Sequence, residues 1–490
     1  MKREDPTHQA VLDRPATTVV EEPTQAPMGA VGGPPTPISY VPTPTREYRE
    51  TRKAMQATLA SALPRLPIPV SIPRPIPWGA RVLLWKHDPS LGEIGVRKAF
   101  LPNLVLEGPR DARVATRGLP EVGPNAMGDL VQTPGTPAFD AVHTYAVVRQ
   151  TLTMYQRALE RTPHAPVPWQ WNDPQDTEPL QVYPHAANMM NAFYSRTQRA
   201  LKFGYFTKPG SPPGIPPVFT CRSLDIVAHA TGHAILDALK PQWLAWDNPL
   251  QTGGVHESFA DLTAIFLAFS QLDQLEAMIA QTKANLHDKT YLEDLAEELG
   301  LALGKPNGLR NADNEFRLGQ VGNDVHAISQ IFTGAIYDIL ADIFAFERMR
   351  ARKRDCVILL YELGQYLNGL VVRAIVEVPD TRATYVDVVN QMLRISQQDG
   401  KPPQYRNFIR NRFAIREVVA ADLVAWDEEK EGVLQLQPKV QDAAGVFQDR
   451  SRCCGTMQLY EYNGVEEEMQ AELKELQESV TAGAKAKGGR

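Results

Sequence analysis

At 490 residues and 54.4 kDa the chain is longer than one ordinary hydrophobic core covers, so two or three packed units are expected. Hydrophobic residues at 43% and charged residues at 22% are the balance of a globular protein, and a net charge of -6 has the wrong sign for a phosphate-binding surface. Four cysteines without a CxxC pair, and apolar runs that stop short of a span, exclude a disulfide scaffold, a zinc finger, a nucleic-acid binder and a membrane span, leaving an enzyme.

Residues 1–80 hold fifteen of the 40 prolines. Each removes a backbone donor and pushes its predecessor out of helical space. This predicts a Pro-rich disordered arm over 1–62, then an extended and β-rich region over 63–137. The stretch 63–78, LPRLPIPVSIPRPIPW, has polyproline character and reads as a tether or docking arm for a protein partner, with an SH3-type ligand as the rarer alternative. The start lacks an apolar h-region, which predicts a cytoplasmic protein or one exported without a classical signal peptide.

Strands are predicted at 81–85, 98–108 and 112–118, where apolar residues are punctuated by Gly and Pro. After Phe139 the period lengthens: Ala141, Tyr145, Val148, Leu152 and Tyr155 mark an amphipathic helix. Helical patterns follow at 223–240, 255–270, 272–303 with a break, 325–347, 354–377, 383–398 and 404–413. Shorter strand-like runs return over 418–463, and the acidic tail after 464 reads as a helix that packs on the body or on another copy.

The chemistry concentrates in SLDIVAHATGHAILDAL, 223–239. His229 and His233 stand four apart on a helical pattern, so both imidazoles leave the same face one turn apart and can share one Zn²⁺. Glu257, in the next helix, completes a His₂Glu set with a fourth position open. Asp261, four residues on, is placed to accept the free ring N–H of a ligand His. His256 points off that face and reads as structural. His143, His185 and His287 have no partner at ligand spacing, and Cys221 reads as a buried free thiol. The basic run 348–354 suits a helix C-terminus.

With HATGH on one helix and ESFAD on the next, the chain resembles the thermolysin-like family of gluzincin zinc metallopeptidases, which carry HExxH and a Glu followed four residues later by Asp. NAFY (191–194) is similar to the family's edge-strand segment that holds substrate backbone, implicating Asn191 and Ala192. NDVHAIS (323–329) resembles the segment whose histidine stabilises the oxyanion, here His326, and Arg310 matches an arginine that contacts a substrate carbonyl. The resemblance covers 139–329, and the helices to about 420 fit the family's second lobe more loosely. It implies an α+β fold of two lobes, a β-containing N-terminal lobe and a helical C-terminal lobe with one zinc in the cleft. A catalytic lobe over 138–270, a helical lobe over 271–420, and short strands with a helical tail over 421–490 follow. The implied activity is hydrolysis of peptide bonds in a peptide or protein substrate through a zinc-activated water.

Three departures matter. Ala230 stands where the general-base glutamate belongs, so the chain as written is expected to bind zinc but turn over little. Asp225 occupies a calcium-ligand position, but the acidic cluster after the third zinc ligand is missing and calcium is not expected. The oxyanion tyrosine falls near Leu244, between Trp243 and Ala245, where no tyrosine occurs. Two readings of Ala230 stay open: an engineered base-to-alanine change in an otherwise intact protease, or a natural pseudoprotease acting as a zinc-binding interaction or assembly module.

Overall fold

Alternating burial along Gly79–Trp85 (β1) points Ala80, Val82 and Leu84 into the core and leaves Arg81 outside. β1 pairs antiparallel with Val96–Pro102 (β2), Gly79 opposite Pro102 and Trp85 opposite Val96. The second strand stops well short of the expected 108. Pro102 has no N–H to give a ladder, and Asn103 takes the left-handed φ of 74° that ends extended pairing. Beyond it only isolated bridges occur before Val114–Thr116 (β3). This computed structural model describes residues 79–89, 95–160, 178–208, 210–244, 248–288, 294–295, 310–322, 325–422, 435–439 and 457–458. For residues 160, 294, 295, 310, 457 and 458 it describes the backbone alone. The expectations for the arm, the 423–434 stretch, the acidic tail and Cys453–Cys454 lie outside these residues. Contacts divide the chain into 1–73 and 74–490, and everything described belongs to the second unit.

The fold is α+β. A 24-residue helix, Pro137–Glu160 (α1), opens with Thr136 accepting from the Phe139 N–H at 3.2 Å and buries Ala141, Tyr145, Val148, Leu152 and Tyr155. Four short strands that the periodicity does not reveal follow: Leu180–Tyr183 (β4), Ala192–Ser195 (β5), Ala200–Phe203 (β6) and Tyr205–Phe206 (β7), the last paired with Val218–Phe219 (β8). β3, β4, β6 and β5 lie side by side in one mixed sheet, and a two-residue strand from far along the chain, Met457–Gln458, borders β5. β5 is therefore not the outermost strand, contrary to the edge expected for NAFY.

Leu224–Leu239 (α2) and Leu250–Phe269 (α3) run almost wholly buried against each other. Ser223 caps α2 by accepting from the Ile226 N–H. The close crossing depends on Gly232, where a Cβ would lie 2.7 Å from Thr263 Oγ1 and 2.9 Å from the Ala260 Cα. Gly254 allows α3 an equally close approach to Ile328 and Tyr385. α3 begins five residues earlier than expected, because Pro249 stands just outside the helix as its N-cap. Of the helical pattern expected over 272–303 with a break, Leu272–Thr282 (α4) forms the first part and ends where Lys283 and Ala284 turn left-handed at φ 52° and 66°; residues 289–293 and 296–303 lie outside the described residues. Two-residue strands Asp294–Leu295 (β9) and Arg310–Asn311 (β10) then pair antiparallel.

Four helices complete the body: Val325–Arg350 (α5), Cys356–Glu377 (α6), Tyr385–Gln398 (α7) and Pro403–Ile415 (α8). Asp355 caps α6, a Thr384–Asp387 capping box starts α7, and Pro403 opens α8. α8 packs on α5 and α7, and α6 reaches α1 and α3, so the helical part shares its core with the part that carries the sheet. α5 is long and apolar enough to cross a membrane by composition, which sequence reading did not identify. Its most apolar stretch is 83% buried inside the fold, the position of a core helix. Among the described residues Cys221 is a buried free thiol, raised by burial well above the usual range.

Candidate metal centre

The crossing of α2 over α3 brings His229, His233 and Glu257 together, three residues that could hold a metal ion. His229 Nε2 and His233 Nε2 are 3.0 Å apart, His233 Nε2 is 3.3 Å from Glu257 Oε1, and His229 Nε2 is 3.8 Å from Glu257 Oε2. Two donors held about 2.0–2.1 Å from one tetrahedral zinc are separated by about 3.3 Å, so the three edges bracket what that ion requires. All three residues are buried, and Glu257 is fully so.

Each imidazole is oriented from behind. His229 Nδ1 lies 2.9 Å from Asp261 Oδ1, and a carboxylate there accepts Nδ1–H, leaving the Nε2 lone pair to face inward. His233 Nδ1 lies 3.0 Å from Nδ1 of His256, whose ring stacks on it with centroids 5.1 Å apart. Burial pushes the pKa of His256 down to about 4, so it is neutral and can accept from His233. In the tautomers with both Nδ1 atoms as donors, two lone pairs face each other at 3.0 Å beside a carboxylate, a geometry that a cation between them would satisfy. Sequence reading missed His256 as this partner. Its position just before Glu257 was a signal, but the contact is made with the back of His233 on another helix.

Burial alone would raise the carboxyl of Glu257, but the neighbouring His233 and His326 hold it well below the usual range. His326, in the first turn of α5, places Nδ1 3.3 Å from Glu257 Oε2 with about a third of its side chain exposed, so it stands on the accessible side of the group. Ala230 follows His229 on α2 and is only 1% exposed. Leu244 is buried in a short 3-10 turn, and the Trp243 indole N–H beside it donates to the Pro379 carbonyl at 3.0 Å.

Other expected site residues are dispersed. Ala192 begins β5, and its N–H donates to the Asn191 side chain at 2.7 Å, while the Asn191 carbonyl accepts from Gly204. Arg310 sits on β10 opposite Leu295, and its side chain lies outside the described residues. Asp225 accepts from the Ser223 hydroxyl in the first turn of α2. The three histidines without a partner at ligand spacing along the chain meet polar groups in space: His143 Nδ1 accepts from the Trp85 N–H at 3.3 Å, His185 lies 3.0 Å from Asp140, near Cys221, and His287 lies 2.9 Å from Asp313, near Asp338. Distant segments supply those partners, which spacing along the chain cannot show.

No family model matches the chain, and no curated protein matches it. A solved structure to which it is similar is the precursor of protealysin, a metalloproteinase from Serratia proteamaculans. The identity is 13%, the match covers 62% of this chain and 85% of that one, and the TM-score is 0.39. At that score the likeness carries no weight for family or chemistry.

Proposed function

We propose that this chain is a zinc-dependent metalloendopeptidase-type protein of the thermolysin-like gluzincin kind, disabled at the proton-transfer step by Ala230. The observation that carries this reading is the convergence of His229, His233 and Glu257 with both histidine Nδ1 atoms already engaged by Asp261 and His256. Two imidazoles and one carboxylate with a position left open is the donor set of a catalytic rather than a structural zinc. Bound there, zinc supplies Lewis acidity and brings the pKa of a water toward about 7. The protein's own part is to hold the ring tautomers through Asp261 and His256, and to bring His326 to the open side, where an imidazole N–H can steady a developing oxyanion. What is missing is a group to take the water's proton and deliver it to the leaving amine, work worth roughly 10²–10⁴-fold. A methyl group at 230 does neither.

One observation favours a second reading, a natural non-catalytic pseudoprotease: Ala230 is 1% exposed and belongs to the core cluster, the setting of a residue chosen for packing. Ala230→Glu separates the two. In a disabled peptidase the carboxylate faces the open side of the metal, and cleavage of casein or a quenched peptide library rises at least about a hundredfold, sensitive to 1,10-phenanthroline. In a binding module the larger acid is overpacked, and the variant loses stability without gaining turnover.

A further inference from the structure

β5 lies beside the helix that carries the histidines. Tyr194 Oη donates to Asp237 at 2.9 Å and Arg196 pairs with the same carboxylate at 2.7 Å, one helical turn beyond His233. One edge of β5 is taken by β6 in antiparallel register, Ala192 opposite Phe203 and Ser195 opposite Ala200. The other edge would be open to an extended peptide, because a strand edge offers unpaired N–H and C=O groups as a template. It is filled instead by the chain's own Met457–Gln458, running parallel, with Met457 opposite Tyr194 and Gln458 opposite Ser195. That segment comes from more than 250 residues away and, among the described residues, is the outermost member of the sheet.

We propose that Met457–Gln458 is an intramolecular strap that occupies the peptide-binding edge of β5 and keeps extended chains out of the metal centre. This rests on the reading of the chain as peptidase-like, since it takes the β5 edge as the place where a substrate backbone would pair. The strap is made for displacement rather than permanence. Two paired residues supply only a few main-chain hydrogen bonds, each with a small net contribution, and parallel pairing is the weaker kind. A competitor that pairs over four residues therefore outbids it once its concentration is high enough, and the strap sets an affinity threshold of about tenfold. Because the strap is part of the same chain, its effect does not depend on protein concentration.

The test uses the full chain with Met457→Pro and, separately, Gln458→Pro, each of which removes a backbone donor from the outer strand without touching β5 or the ligands. Hydrogen exchange of the β5 amides reads the pairing itself, and zinc content checks that the fold and centre are intact. A labelled synthetic peptide of residues 455–462 reads access to the edge. The expected result, in the variant whose replaced N–H faced β5, is faster exchange at the β5 amides that border the outer strand and peptide binding about tenfold tighter than to the parent, with zinc unchanged. Unaltered exchange at β5 in both variants overturns the strap. Faster exchange with equal peptide affinity in parent and variants also overturns it, since the edge is then freed without access changing. If the peptide binds none of the three proteins although exchange rises, occlusion is refuted as a device, and the fault lies with the peptide-binding reading of β5 rather than with the pairing.

Discussion

Three groups of residues among those described place potential metal ligands within 4.8 Å of one another, and they differ in where the compensating positive charge comes from. In the group Asp140, His185 and Cys221, the Arg222 guanidinium already lies on Asp140, with Nε at 2.9 Å and 3.1 Å from its two oxygens. Burial pushes the Asp140 carboxyl up, but hydrogen bonds from His185 and Arg222 hold it below its usual range. In the group His287, Asp313 and Asp338, Arg416 sits 2.9 Å from Asp338 and Arg412 lies 3.6 Å away. A guanidinium there leaves a divalent cation little to gain and much to repel. Around Glu257 lie three imidazoles, two of which bring their Nε2 atoms within 3.0 Å of each other. Ligand residue types differ among the three, and an arginine already lies on a carboxylate in the first two, whereas imidazoles neighbour Glu257 in the third.

The comparison breaks most sharply at His233. Replacing it by alanine is expected to take bound zinc from about one per molecule to none by elemental analysis, and an unchanged metal content would remove the centre. Asp140→Asn is expected to do the opposite: zinc stays, while stability falls by about 3 kcal/mol in urea unfolding. The lower end of the range for broken buried pairs applies because Arg222 is 21% exposed and water can reach it. Asp261→Asn tests the orientation of His229, and zinc affinity measured by chelator competition should weaken roughly 10–100-fold without loss of fold.

The smallest effect is expected at His287. Its hydrogen bond to Asp313 raises its pKa against the opposing pull of burial. A base raised in the folded state adds stability below its unfolded value of about 6.5, and that stability disappears as pH rises through the folded value. The parent should therefore lose slightly more of its urea midpoint between pH 6 and 8 than His287→Gln does, with zinc content equal in both.

Much of the helical framework was legible because its apolar residues recur at three and four: α2, α5, α6, α7 and α8 lie within a few residues of where the periodicity puts them. The His229–His233 pair could be read because i and i+4 share a helix face whatever the fold. The strands of the central sheet were not legible: β4, β5 and β6 span four residues each, too few for alternation to show, and β5 is buried throughout. A break within 272–303 was legible but its place was not, because the left-handed turn at Lys283 and Ala284 uses neither Gly nor Asn.

By itself, then, the order of residues determined which side chains could share a helix face, where the helices run, and that a methyl group stands at 230, since these depend on neighbours within a turn or two. Only the tertiary structure decided that Gly232 lets α3 approach closely enough for Glu257 to meet both histidines, and that His256 backs His233. It also decided that arginines occupy the rival groups and that Met457–Gln458 borders β5. Those outcomes join residues between 20 and more than 250 positions apart, where packing and charge, rather than helical period, select the partner.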